Sequence, residues 1–97
     1  MFWCKVFSTK YDLVVAICDE DLIEKDIGTK ELKIKISKNF YGDRLVEEKV
    51  ALRLMKKATI CNLMGKNIIE LAEKNKFIIR KNIIFINGIP HAQFVKI

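Results

Sequence analysis

The dipeptide Asn87-Gly88 sits between two apolar runs, Asn82 to Ile86 and Ile89 to Val95, and restricts the fold more than any other feature of the chain. Asn-Gly is the favoured centre of a two-residue type I′ hairpin, because both positions require φ > 0. The turn folds Phe94-Val95-Lys96 back along Asn82 to Ile86 and brings the only proline, Pro90, and the only histidine, His91, to the rim of a sheet. Pro90 cannot donate a ladder hydrogen bond, so its strand is expected at a sheet edge.

Ninety-seven residues, 51% of them apolar and 31% charged, make one globular domain spanning 1–97. No apolar run approaches the ~18 residues of a membrane helix. The start, Met1-Phe2-Trp3-Cys4-Lys5-Val6, lacks the marks of a signal peptide, so no membrane partner and a cytoplasmic location are expected. Cys4, Cys18 and Cys61 are widely spaced and odd in number, which argues against a disulfide framework or a zinc site. They are expected as buried thiols, with Cys4 and Cys18 facing each other if the first strands form a hairpin centred near Tyr11.

The remaining elements follow from periodicity. Phe2 to Ser8 alternates as a strand, and Leu13 to Cys18 is continuously apolar, as in a strand buried on both faces. Asp19 is placed to cap a short helical turn that Gly28 ends. Glu31 to Ser37 alternates cleanly, with Leu32, Ile34 and Ile36 on one side and Glu31, Lys33, Lys35 and Ser37 on the other. After the loop Asn39-Phe40-Tyr41-Gly42-Asp43, Asp43 is expected to cap a helix with a core stripe at Val46, Val50, Leu54 and Ala58 that continues through Ile60, Cys61, Leu63 and Met64 to Gly65. A second helix, Lys66 to about Asn75, buries Ile68, Ile69, Leu71 and Ala72. The order implies an α+β fold: a mostly antiparallel sheet of about five strands, two to three helices on one face, and a terminal hairpin.

Charge is uneven. Residues 1–29 hold three lysines and six acids, whereas 30–97 hold fifteen basic and six acidic residues, for a net +6. Lys/Ile/Asn-rich composition explains this as genomic bias; a polyanion-binding face explains it as function. Lys33 and Lys35 share the wet face of one strand, Lys38 follows, and Tyr41 and Arg44 come next. Cations beside exposed rings suit single-stranded RNA, with lysine and arginine on phosphates and rings under bases. Phe40 is expected in the core, while Tyr41 is open to either role. The ribonucleoprotein aromatic signature of the common RNA-recognition motif is absent. Helix, Gly65, helix also admits a helix–turn–helix, but the second helix carries Glu70 and Glu73.

The chain has no Gly-x-Ser-x-Gly, phosphate loop or paired histidine ligands, so a non-enzymatic role without cofactor or metal is expected. His91 and Gln93 share a strand face and suit contact with a base edge, a peptide or a phosphate.

Three pieces, Asn39-Phe40-Tyr41-Gly42, Ala58-Thr59-Ile60-Cys61-Asn62-Leu63-Met64-Gly65 and Gly88-Ile89-Pro90-His91-Ala92-Gln93, together resemble a small archaeal family known as domain of unknown function 424. The resemblance implies a cytoplasmic archaeal protein of small α+β fold linked to RNA or translation, and it supplies no catalytic residue. Of its motif positions, Asn62, His91 and Gln93 are the candidate contacts to a partner. The leading expectation is an RNA- or ribonucleoprotein-binding domain using Lys33, Lys35, Lys38, Tyr41 and Arg44. A protein-interaction module or homodimer through an edge strand at 90–96 is the alternative, and a small-molecule enzyme using His91 the third.

Overall fold

The computed structural model describes residues 1–28 and 33–96, with the backbone alone at 28, 33 and 34. Strands β1 (Phe2–Ser8) and β2 (Leu13–Asp19) form the first hairpin, closed where Thr9 N–H donates to the Asp12 carbonyl at 2.9 Å. The register sets Trp3 opposite Cys18 and Cys4 opposite Ile17. Cys4 and Cys18 therefore do not face each other. They point to opposite faces of the sheet, because a one-residue offset reverses the side on which a strand residue lies.

A 3-10 turn, Glu20–Leu22, leads into a small antiparallel ladder of β3 (Asp26–Gly28) and β4 (Lys33–Lys35). The short helix α1 (Lys38–Tyr41) follows, capped by the Ser37 hydroxyl, which accepts the Asn39 N–H at 3.0 Å. The chain then supplies β5 (Arg44–Val46), α2 (Glu48–Lys57), β6 (Ile60–Met64), α3 (Lys66–Lys74), a 3-10 turn at Arg80–Asn82, β7 (Ile84–Ile86) and β8 (Ile89–Val95).

The main sheet has six strands in the order β5-β1-β2-β6-β8-β7. Only β2 and β6 run parallel; the other pairs are antiparallel. The α+β reading stands, with one more strand in the sheet than expected. Asn87 and Gly88 have φ of 51° and 82°, the left-handed pair that a two-residue hairpin needs.

Three expected elements differ. Residues 33–35 are strand, but they pair with β3 outside the main sheet, and Glu31 and Leu32 of the expected strand lie outside the described residues. The expected helix through Met64 ends at Lys57, and residues 60–64 form a central strand, so residues 46–75 do not form a helix–turn–helix. Asp43 caps nothing, because Arg44–Val46 adds an edge strand before α2 begins.

The two faces are covered differently. On one, Cys4, Val15, Ile17, Cys61, Leu63 and Ala92 pack against Ala51 and Met55 of α2 and Ile68, Ile69, Leu71 and Ala72 of α3. Fully burying a side chain such as Ile17 or Leu63 stabilises by about 1.5–3 kcal/mol. On the other face, Leu22, Ile27, Ile36 and Tyr41 from the excursion between β2 and β5 cover Ala16, Cys18 and Met64. No helix among the described residues is long and apolar enough to cross a membrane.

Asp19 fixes the helical layer to the sheet. It does not cap the turn that follows it. Its Oδ2 accepts the Asn67 N–H at 2.9 Å and its Oδ1 the Ile68 N–H at 2.8 Å, so it satisfies the start of α3 from across the parallel strand pair. At the other end of the sheet, the Lys96 ammonium donates to the Met55 carbonyl at 3.0 Å and to that of Lys56, closing the C-terminus of α2.

Candidate nucleic-acid interface

Register defines the surface. Residues directly opposite in a ladder share a face, so Lys5, Ala16, Asn62 and Gln93 form one row across four strands. The next row is Phe7, Val14, Ile60 and Val95. Trp3, Cys18, Met64, His91 and Ile84 form the row on the other side. The excursion between β2 and β5 seals Cys18, Met64 and Ala16, but Phe7, Val14, Ile60 and Asn62 stay only half-buried, and Gln93 and Val95 are exposed. Half of this sheet face is thus open.

Aromatic rings border the open half. Phe40 of α1 lies over Phe7 with centroids 5.8 Å apart and planes 30° apart, and meets Tyr41 edge-on at 4.8 Å. The Lys5 ammonium sits 5.1 Å from the Phe7 centroid and donates to the Asn39 carbonyl at 2.9 Å. At the tip of the first hairpin, Tyr11 is 82% exposed with the Lys10 ammonium 5.5 Å from its ring.

The expected roles of the adjacent aromatics are reversed. Tyr41 is 6% exposed and Phe40 38%, because α1 turns Tyr41 toward Cys18 and Met64 and leaves Phe40 at the rim. Burial pushes the Tyr41 hydroxyl above its ordinary pKa. Tyr41 offers no stacking face.

The expected cations disperse. Lys35 is on the small ladder, its ammonium 3.3 Å from a Glu24 carboxylate oxygen. Lys33 is on the same strand, and its side chain lies outside the described residues. Arg44 is opposite Cys4, on the helical side of the sheet, away from the open half. Lys38 is exposed at the start of α1, but it is two residues from Phe40, so it leaves the helix on the other side, with its stem beside Gly42. The residues that sequence reasoning missed are Lys5 and Phe7. Their alternation with Trp3 was visible, but which face they share required the register.

Asn62, His91 and Gln93 do come together. Asn62 stands directly opposite Gln93, and His91 is two residues along β8 on the same face, opposite Met64 and Ile84. Among the described residues, neither the Asn62 nor the Gln93 side-chain amide has a hydrogen-bond partner, and the buried Nδ1 of His91 has none either. Burial lowers the His91 pKa from 6.5, and the Leu63 main chain opposes this in part. No carboxylate stands in its row, and among the described residues no three His, Cys, Asp or Glu side chains are grouped to hold a metal.

β8 is not the edge strand. It lies between β6 and β7. Phe94 and Val95 pair with Cys61 and Ile60 of β6, whereas β7 reaches only Ile89 to His91. Pro90 is tolerated inside because its carbonyl accepts the Gly65 N–H at 2.9 Å. A strand residue presents its N and C=O on one side, so the missing N–H faces β6 just past the last ladder pair and costs no bond to β7.

The three segments Asn39–Gly42, Ala58–Gly65 and Gly88–Gln93 thus each contribute side chains to the same face of the main sheet. The family model described as Protein of unknown function (DUF424) matches residues 7–97. The chain belongs to this family. The DUF424 fold here is similar to that in the "Crystal structure of an uncharacterized conserved protein from Methanopyrus kandleri", with a TM-score of 0.82, 22% sequence identity and coverage of 98% of this chain and 92% of that one. No curated protein matches the chain.

Proposed function

We propose that this DUF424 protein binds single-stranded RNA on the open half of its second sheet face. The observation that carries the reading is the Phe7–Phe40 ring pair, flanked by Lys5 and on the same face as the cross-strand amides of Asn62 and Gln93. A flat, half-exposed apolar row gives bases a surface on which to stack, and stacking tolerates any base. Lys5 and Lys10 border it and supply phosphate contacts, consistent with a net charge of +6. Unpartnered amides can donate and accept at once, as the edge of an unpaired base requires. The surface differs from that expected from sequence: it is centred on β1, β6 and β8, with Lys35 and Arg44 outside it.

Fluorescence anisotropy with labelled single-stranded RNA oligomers at several salt concentrations tests the reading. Two neutralised phosphates give a slope of about −1.4 in log K against log salt. Binding that ignores salt, or that Phe40→Ala and Lys5→Ala leave unchanged, overturns it.

A further inference from the structure

The two edges of the main sheet are unlike. β5 carries Arg44 and is flanked by Asp43, Glu47 and Glu48, the charged protection usual for an edge strand. β7 reads Ile84-Phe85-Ile86, with no charge and no proline, and Ile83 precedes it. Ile84 is 56% exposed and Phe85 68%.

The hairpin register says which way the backbone points. Because the Pro90 carbonyl is turned to Gly65, the opposed pair Phe85–Pro90 exchanges no hydrogen bonds. The Phe85 N–H and C=O therefore face outward, at the centre of the bare edge.

We infer that β7 pairs antiparallel with β7 of a second copy of this chain, joining two six-stranded sheets into one. A dyad at Phe85 lets its N–H and C=O bond reciprocally to those of its mate. The occupant follows from charge. The groove beside Phe85 is bordered by Lys66 and Glu70 and by Arg80 and Glu73, the last two already paired with each other at 3.4 Å, so both signs lie on one patch. A two-fold axis can bring Lys66 of one copy to Glu70 of the other, whereas a partner of a single sign meets like charge as often as unlike. Three residues of ladder are short, so the apolar side chains of Ile84 and Phe85 must carry most of the contact.

Sedimentation velocity from about 1 µM to 1 mM tests this, since a contact of modest area is expected in the weak, transient class. The wild-type chain should shift from monomer to dimer as concentration rises. Phe85→Pro removes the outward N–H and spares the β8 ladder, and Ile84→Lys places charge on the edge. Each should raise the dimer Kd at least about tenfold with an unchanged circular dichroism spectrum, the loss of roughly one buried contact. A monomer throughout overturns the inference, as does a dimer that survives both variants.

Discussion

Gly65 has no side chain because Asp19 occupies the space one would need. A Cβ built on Gly65 stands 2.4 Å from the Asp19 carboxyl carbon, and the backbone there has φ of +120°. The carboxylate must approach this closely to take the Asn67 and Ile68 amides. Burial raises the Asp19 pKa above 3.8, and those two amides oppose the rise.

Gly65→Ala is therefore expected to cost about 2–4 kcal/mol, the sum of left-handed strain and a displaced buried cap. Gly88→Ala is the control. Its φ of +82° is also unfavourable, but nothing lies within 4 Å of the added Cβ, so a cost of only about 1 kcal/mol follows. Asp19→Asn should cost about 1–3 kcal/mol, because its NH2 would face a helix N–H. Urea denaturation of the four proteins checks the order. Equal losses at Gly65 and Gly88 would remove Asp19 from the explanation.

What the sequence made legible was local. Asn87-Gly88 specified its hairpin, and the 3.6-residue pattern of Ile68, Ile69, Leu71 and Ala72 specified α3. Ile60 to Met64 failed because a short, largely apolar central strand has the same composition as a buried helix turn. The Asp19 cap failed because its partner is 48 residues away. The candidate site divided along the same line. His91 and Gln93 were paired by simple alternation, whereas their meeting with Asn62 depends on β6 lying beside β8. Tyr41 and Phe40 are adjacent in sequence, and only the direction of α1 decides which is buried.

His91 should make stability fall on mild acidification. Its folded pKa is lowered below 6.5 by burial, so the unfolded chain binds a proton that the folded chain resists. The contribution is fully present above 6.5 and is lost as pH falls through the folded value. The urea midpoint of the wild-type protein should drop across that window, and that of His91→Gln should drop less. Parallel profiles would mean that His91 titrates freely in the folded state.

The three thiols should be inert in the native protein. Burial pushes Cys18 and Cys61 up to about 12 and also raises Cys4, although Arg44 beside Cys4 opposes the rise. Only the thiolate reacts, so alkylation near neutral pH should wait for unfolding. Cys4 and Cys18 lie on opposite faces of the sheet and cannot bridge without rearranging it. Mass spectrometry after native iodoacetamide treatment should find all three unmodified, and rapid labelling of any one would contradict its burial.

Phe40 and Tyr41 should separate binding from folding. Phe40→Ala removes an exposed ring whose stack on Phe7 is worth about 0.5–1.5 kcal/mol to the fold, yet it strips the proposed RNA surface of a stacking platform. RNA affinity should fall by the ~1–3 kcal/mol typical of one lost base–ring stack. Tyr41→Ala instead opens a cavity between the covering segment and Ala16, Cys18 and Met64, at a cost of about 3–5 kcal/mol. Denaturation and anisotropy on the same two variants give a crossed pattern if the assignment is right: a stable, weakly binding Phe40→Ala and an unstable Tyr41→Ala. A Phe40→Ala protein that is stable and binds RNA as the wild type does would move any RNA contact off this face.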